Sequence, residues 1–171
     1  MLTPSKDRVE PKCPVARQCG GCQIQEMRYE AQLAFKQKMV QNNLERIGGL
    51  SDFEMYPVIG METPYAYRNK AQFPVGEDKD GNIVIGFYAG RTHHIVEQTD
   101  CCIGAPENGE VLRNVRAYMQ KNQIRPYNEE HHSGIVRHIL IRTGYHTKEI
   151  MVCLIVNAAK ASCLKNAEQL T

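Results

Sequence analysis

The pattern of apolar residues changes along the chain, from a helical period to the alternation typical of strands, at about Met55. The apolar positions before that point have helical spacing, which predicts a helix from about Gln25 to Ile47, ended by Gly48 and Gly49. The stripe consists of Tyr29, Leu33, Val40, Leu44 and Ile47. The charged residues of the same segment are expected to form a solvated face.

Strand-like runs follow over residues 67–75 and 82–89. The polar loop between them ends in Asp80-Gly81, a dipeptide that favours a hairpin turn. A third, short strand is predicted over residues 94–98, and it leads directly to Cys101 and Cys102. The first part of the predicted sheet is therefore built from short strands joined by tight turns.

A second helix is predicted to begin at Pro106, because proline is well tolerated in the first turn of a helix. Its apolar stripe consists of Val111, Val115, Tyr118 and Met119. Two further strands, over 136–143 and 149–157, are expected to form a hairpin. The last strand carries a continuous apolar run that includes Cys153, which predicts burial on both of its faces.

These elements predict an α+β fold, with a mostly antiparallel sheet, two or three helices and an N-terminal cysteine-rich loop. A length of 171 residues suits one domain of typical size. We expect a flexible leader over residues 1–12 and a central domain over residues 13–160. Residues 161–171 are expected to begin a helix, capped by Ser162, that is cut short, so the chain is expected to be a fragment of a longer protein.

The composition is that of a globular protein, with 42% hydrophobic and 23% charged residues. A net charge of +2 neither indicates nor excludes a nucleic-acid partner. The sequence has no apolar run long enough to cross a membrane and no apolar signal segment at its start. We therefore expect a cytoplasmic protein with no membrane partner.

The strongest chemical signal is a cluster of three cysteines, Cys13, Cys19 and Cys22, spaced C-x5-C-G-G-C. Clustered cysteines in a chain without a secretion signal more often bind metal than form disulfides. Thiolates are preferred ligands of zinc and of iron–sulfur clusters. We expect the two glycines to let the backbone fold tightly around such a centre, through dihedrals that other residues avoid.

The fourth ligand must come from elsewhere in the chain, and the thiol candidates are Cys101, Cys102, Cys153 and Cys163. Cys153 is expected in the core, whereas Cys101 and Cys102 lie between a predicted strand and a predicted helix. Zinc and a [4Fe–4S] cluster both accept four thiolates, so the residues alone leave both open. Zinc sites usually draw on two pairs of cysteines, and a distribution of three plus one favours the cluster.

Several motifs together resemble the family of S-adenosylmethionine-dependent RNA (uracil-5-)-methyltransferases. The resemblance extends from Cys13 to about Asn157. The matching segments are Cys13-x5-Cys19-Gly20-Gly21-Cys22-Gln23, Tyr67-Arg68-Asn69-Lys70-Ala71, Ile85-Gly86-Phe87-Tyr88, Cys101-x-Ile103-x-Ala105-Pro106 and Gly134-x-x-Arg137-His138-Ile139-x-Ile141-Arg142.

This resemblance implies a [4Fe–4S] cluster held by Cys13, Cys19, Cys22 and Cys101, since bacterial members that modify ribosomal RNA carry such a cluster in a central domain. The register of Cys-x-Ile-x-Ala-Pro selects Cys101 rather than Cys102. The implied activity of the whole enzyme is formation of 5-methyluridine in RNA, of the type that modifies 23S ribosomal RNA.

The chain departs from the family pattern where the catalytic motifs should be. It has no Gly-rich cofactor loop after a strand and no Asp-Pro-Pro segment, and neither Cys153 nor Cys163 has the context of the nucleophilic cysteine. The resemblance therefore implies that an N-terminal RNA-binding barrel and a C-terminal methyltransferase domain, which would bind S-adenosylmethionine, belong to the full-length enzyme. The fragment alone is predicted to be inactive.

The role left for this part of the enzyme is to hold RNA around the target base, which must leave its stack before the ring can be attacked. Residues suited to RNA contact by charge or donor geometry are Arg68, Lys70, Gln72, Arg91, His93, Arg137 and Arg142. The first three alternate along one predicted strand and should share a face. The alternatives are a zinc-stabilised RNA-binding module and an iron–sulfur electron-transfer module, although the spacing is not that of a ferredoxin.

Overall fold

A computed structural model describes residues 3–170 of the chain. The described residues form two compact units. The first unit comprises residues 3–12 and 22–64, and the second comprises residues 13–21 and 65–170. The cysteine-rich segment is divided between them, because Cys13 and Cys19 belong to the second unit and Cys22 belongs to the first.

The first unit contains the predicted N-terminal helix. Helix α1 spans Tyr29–Asn42 and continues as a π-helical turn over Asn43–Ile47. No residue of α1 is fully buried, and Val40 and Ile47 of the predicted stripe are 47% and 82% exposed. In the predicted leader, Arg8 pairs with Met27 and the Arg28 guanidinium contacts Asp7 at 2.6 Å, so these residues have defined partners.

The second unit is organised around a five-stranded antiparallel sheet, which confirms the predicted α+β class. The strand order is β3-β2-β1-β4-β5. The strands are β1 Lys70–Glu77, β2 Ile83–Tyr88, β3 Ile95–Glu97, β4 Val136–Thr143 and β5 Ile150–Val156. The loop between β1 and β2 turns at Gly81 (φ 82°), and the Asp78 carboxylate accepts hydrogen bonds from the backbone of Asp80 and Asn82.

One face of the sheet forms the hydrophobic core with helix α2, which spans Asn108–Lys121. Val115, Tyr118 and Met119 of the predicted stripe are buried, as expected, while Val111 is only partly buried and Leu112 is fully enclosed. The sheet contributes Ala71, Phe73, Val75, Ile85, Val136, Ile139 and Ile141. Every second residue of β1 thus points into the core, which leaves Lys70 and Gln72 on the opposite face.

The last strand forms where it was predicted, but the predicted burial of both its faces was wrong. Ile150, Met151 and Val152 are 41–49% exposed, and Cys153 is exposed rather than buried. The reason is position: β5 is an edge strand that pairs only with β4. An apolar run is compatible with a central or an edge strand, and the pairing partners decide which of the two forms.

The end of the chain also differs from its prediction. Two short 3₁₀ turns, Ala161–Cys163 and Ala167–Leu170, replace the expected α-helix. Asn166 has a φ of 52° between them, and a residue in the left-handed region interrupts a helix. Leu164 and Leu170 pack against the core, and the Tyr118 hydroxyl donates to the Lys165 carbonyl at 2.6 Å.

No helix within residues 3–170 has the length and the hydrophobicity needed to cross a membrane.

Candidate metal centre and nucleic-acid interface

The cysteine loop of the second unit is attached to the end of β2. The Gly20 amide donates to the Tyr88 carbonyl at 2.9 Å, and Cys19 pairs with Ala89. A Cβ atom on Gly20 would lie 3.1 Å from the Tyr88 oxygen. The lack of a side chain on Gly20 therefore allows the loop to lie close against the end of the strand. The expected dihedral freedom is not used at this position, since the described glycines with positive φ are Gly49, Gly81 and Gly134.

Each of the three clustered sulfurs accepts an N–H hydrogen bond. The Gln98 amide donates to Cys13 Sγ at 3.6 Å, and the Gly21 backbone donates to Cys19 Sγ at 3.4 Å, both within the second unit. In the first unit, the Gln25 amide donates to Cys22 Sγ at 3.6 Å. N–H donors to sulfur are also common around the cysteine ligands of iron–sulfur clusters.

The segment that carries the predicted fourth ligand is fixed by backbone hydrogen bonds. The backbone carbonyl of Cys101 accepts a hydrogen bond from the Gly104 amide at 2.9 Å, and the carbonyl of Cys102 accepts one from the Ala66 amide at 3.0 Å. Both cysteines are partly buried. Cys101 follows Gln98, the residue whose amide contacts Cys13, by three positions in the chain. The segment that carries both thiols is thus held in place by its backbone.

The donor set fits a soft metal or an iron–sulfur cluster in its chemistry, because thiols with N–H donors are what such groups use. Among residues 3–170, however, no three Cys, His, Asp or Glu side chains lie close enough together to hold one metal ion. The joint assignment of Cys13, Cys19, Cys22 and Cys101 to one centre stays a prediction.

The predicted RNA contacts fall into two groups, and the first lies on the open face of the sheet. Lys70 and Arg142 are direct partners in the β1–β4 register, and Gln72 lies two residues further along β1. All three side chains are exposed. Arg68 precedes β1 and donates its amide to the Ile103 carbonyl at 2.8 Å. The expected alternation therefore places Lys70 and Gln72 on one face and adds Arg142 to it.

The second group lies around Glu129. The Arg137 guanidinium donates to the Glu129 carboxylate at 2.7 Å, and His93 Nδ1 lies 3.4 Å from the same carboxylate. Arg137 also stacks over the Tyr127 ring, 4.8 Å from its centroid. Arg91, in the loop between β2 and β3, is exposed and has a φ of 62°. The charge of Arg137 is therefore partly neutralised by Glu129, unlike the charges of Lys70 and Arg142.

His93, Tyr127, Glu129 and Arg137 line a groove of about 650 Å³ in the second unit, whereas Arg91 is not part of its lining. Glu129, Tyr88 and Tyr127 were not predicted from the sequence as site residues, because nothing in the sequence sets Glu129 apart from its polar neighbours. The acidic members of the lining are Glu77, Asp78, Glu97, Glu129 and Glu130, and the basic or titratable ones are His93, His94, Arg137 and His138.

The electrostatics of the groove follow from these contacts. The hydrogen bond from Arg137, with a smaller contribution from His93, lowers the pKa of Glu129 below its ordinary value of 4.5. Burial and then the Arg137 charge lower the pKa of His138, which favours the neutral imidazole. Burial and the Glu129 charge raise the pKa of Tyr88. The groove thus presents a stable carboxylate next to neutral rings.

The fold and its open basic face define an α+β module with features suited to nucleic-acid binding. The comparisons with known proteins make this more specific. A protein named "Uncharacterized RNA methyltransferase" from Halalkalibacterium halodurans is 50% identical over 155 residues, which is 91% of this chain. Proteins of the same name from Bacillus cereus and Clostridium tetani are 46% and 42% identical, over 92% and 94% of the chain.

In each of these three relatives, the chain spans about a third (34%) of the relative's length. No family model matches the chain. Among solved structures, tRNA (uracil-54, C5)-methyltransferase of Pyrococcus abyssi, in complex with S-adenosyl-L-homocysteine, is similar with a TM-score of 0.71 and 25% identity. The match covers 98% of this chain and 36% of that protein. Nearly the whole chain therefore corresponds to one part of larger RNA methyltransferases.

Proposed function

We propose that this chain is the RNA-holding part of an S-adenosylmethionine-dependent RNA (uracil-5-)-methyltransferase that forms 5-methyluridine, with 23S ribosomal RNA as its substrate. The single observation that carries the proposal is the similarity over 91% of the chain to a named RNA methyltransferase. The solved tRNA (uracil-54, C5)-methyltransferase supports uracil as the modified base. The resemblance of the cysteine motif to members that modify ribosomal RNA supports the 23S substrate.

The open face of the sheet supports a role in holding RNA. Lys70 and Arg142 face each other across β1 and β4, and neither forms an ion pair with another residue of the part that the structure describes. Two neighbouring cations without a carboxylate partner attract a phosphate backbone, and the arginine can donate two parallel hydrogen bonds to one phosphate. Gln72 adds an uncharged donor and acceptor on the same face. Arg68 and Arg91 are proposed as additional phosphate contacts.

The cysteines are proposed to hold a [4Fe–4S] cluster with Cys13, Cys19, Cys22 and Cys101 as ligands. The N–H donors on the first three sulfurs support this assignment, since such hydrogen bonds stabilise thiolate ligands. When bound, the cluster supplies metal–thiolate bonds that tie residues 13–22 to residue 101 and close a long loop of the chain. Methyl transfer to uracil requires no electrons from the protein, so the proposed role of the cluster is structural.

The reacting groups are proposed to lie in other domains of the full-length enzyme, which would bind S-adenosylmethionine and attack the uracil ring. This chain contributes the surface that holds the RNA near a base taken out of its stack. By itself it is therefore proposed to bind RNA without methylating it.

The test is methyl transfer from labelled S-adenosylmethionine to ribosomal RNA and to tRNA, with the full-length enzyme and with residues 1–171. We expect 5-methyluridine in 23S RNA with the full-length enzyme and none with the shorter chain. Label in tRNA alone would contradict the ribosomal substrate, and label with residues 1–171 would contradict the division of roles. Cys101→Ala in the full-length enzyme tests the cluster: loss of folding or of RNA binding supports a structural role, and intact binding with lost turnover contradicts it.

A further inference from the structure

The groove around Glu129 differs from the open basic face in shape and in charge. Its volume of about 650 Å³ lies within the range of about 300–1,000 Å³ that is usual for small-ligand sites. One wall is formed by the end of the β1–β2 hairpin and the following β2–β3 loop, and another by residues 126–130 together with Arg137 and His138. The groove is therefore large enough for a single nucleobase.

A phosphate group is disfavoured in this groove. Five carboxylates line it, and its arginine, Arg137, already donates to Glu129 at 2.7 Å. His93 also contacts the Glu129 carboxylate. Arg125 and Arg116 pair with Glu77 and Glu97, so the excess negative charge comes from Asp78 and Glu130, and it repels a phosphate. Arg137 and His93 stay predicted RNA contacts, and this charge balance favours contact with a base over contact with a phosphate.

The groove instead offers flat surfaces beside a hydrogen-bond acceptor. The rings of Tyr88 and His93 lie 5.5 Å apart with an angle of 31° between their planes. On the other side, the Arg137 guanidinium covers the Tyr127 ring at 4.8 Å. Unstacked RNA bases bind on aromatic rings and on guanidinium planes of this kind. The Glu129 carboxylate accepts from Arg137 at one oxygen and contacts His93 at the other, and each oxygen keeps a further lone pair for a donor from a ligand.

We infer that this groove binds an unstacked guanine base of the RNA through Glu129 and the neighbouring rings. This inference rests on the proposed RNA-holding function. Guanine presents an N–H and an NH₂ donor on one edge, and these match the two oxygens of a carboxylate. Adenine and cytosine present one exocyclic amino group on that edge, and uracil presents a single N–H. On this inference the groove binds a base, while the face with Lys70 and Arg142 binds the phosphate backbone.

The test uses fluorescence anisotropy with labelled single-stranded oligonucleotides: oligouridine, and the same strand with one central guanine, inosine or adenine. One additional hydrogen bond to a charged group increases affinity roughly tenfold, so we expect the strand with guanine to bind roughly tenfold more tightly than the strand with adenine. Inosine lacks the amino donor and should lie in between. Glu129→Gln should abolish the preference for guanine over adenine. The matched control Glu110→Gln changes the same charge on helix α2, outside the groove lining, and should keep the preference.

A second variant separates base binding from rearrangement of Arg137. Tyr88→Leu removes a ring surface and should weaken guanine-containing strands while leaving the salt dependence of oligouridine binding unchanged. Equal affinity for guanine and adenine in the parent chain would overturn the inference, as would a preference that survives Glu129→Gln. If oligouridine itself shows no salt-dependent binding, the RNA-holding function fails. If oligouridine binds and guanine has no advantage, the groove assignment alone fails.

Discussion

Neutralising Lys70 should weaken RNA binding and at the same time stabilise the fold. Lys70 and Arg142 are direct partners across β1 and β4, and both side chains are exposed. Two like charges that face each other directly across a sheet repel and destabilise it. Facing pairs on sheets contribute about 0.2–1 kcal/mol, so Lys70→Gln should raise the free energy of unfolding by a few tenths of a kcal/mol, up to about 1 kcal/mol.

The loss of binding has its own magnitude. Each phosphate contact with a single strand contributes about 0.7 to the slope of log affinity against log salt concentration. At about 0.1 M salt, one lost contact therefore lowers the affinity by roughly fivefold, and the loss shrinks as salt rises. Fluorescence anisotropy of labelled oligouridine over a series of salt concentrations measures the slope, and urea unfolding measures the stability.

The matched control is Lys36→Gln, which removes the same charge from an exposed position of helix α1 in the first unit. This variant should keep the salt slope of the parent chain. The reasoning is refuted if Lys70→Gln leaves the slope unchanged. It is also refuted if binding falls only together with a clear loss of stability, because the repulsion between Lys70 and Arg142 would then not exist.

Three further changes test the packing and the electrostatics. Phe73→Ala removes a fully buried ring and should lower the free energy of unfolding by about 3–5 kcal/mol, measured in urea. Gly86→Ala would place a methyl group against the backbone carbonyl of β3 and should lower the melting temperature, whereas Gly90→Ala, with open space around it, should not. The hydrogen bond from Arg137 lowers the pKa of Glu129 below its ordinary value of 4.5. The ionised carboxylate therefore stabilises the folded chain above that pH, and this stabilisation is lost as the pH falls through the pKa of the folded state. The urea midpoint of Glu129→Gln should therefore fall less than that of the parent chain between about pH 6 and about pH 3.

Each of these expectations has a distinct contrary result. A Phe73→Ala chain within about 1 kcal/mol of the parent would show that the core can refill the space. Equal melting temperatures for Gly86→Ala and Gly90→Ala would mean that β3 can move away from β2. The same acid sensitivity in Glu129→Gln and in the parent chain would show that the Arg137 contact does not persist in solution.

The sequence predicted the central strands well, for a local physical reason. Strands β1 and β4 alternate between core and surface over most of their length, and the turn residues after β1 mark where β2 begins, so the pattern and its limits are visible in the sequence. The same reading failed for β5, since its apolar run does not reveal that only one neighbouring strand pairs with it. Whether a strand lies at an edge depends on residues far away in the sequence.

The candidate site could also be predicted from the sequence only in part. The pairing of Lys70 with Arg142 could be expected in part from the two-residue period of β1, although the facing position on β4 depends on the register. The contact of Glu129 with Arg137 and His93 could not be expected, because it joins an irregular loop to two other segments. No local pattern distinguishes an acidic loop residue that holds an arginine from one that faces solvent.

One measurement tests directly whether thiolates of this chain hold an iron–sulfur cluster. Iron, sulfide and zinc are quantified in protein purified without oxygen, for the parent chain and for Cys101→Ala and Cys102→Ala. We expect a brown parent chain with iron and sulfide in equal amounts, loss of both in Cys101→Ala and retention in Cys102→Ala. Zinc without sulfide in the parent chain, or unchanged iron in Cys101→Ala, would contradict the proposed centre.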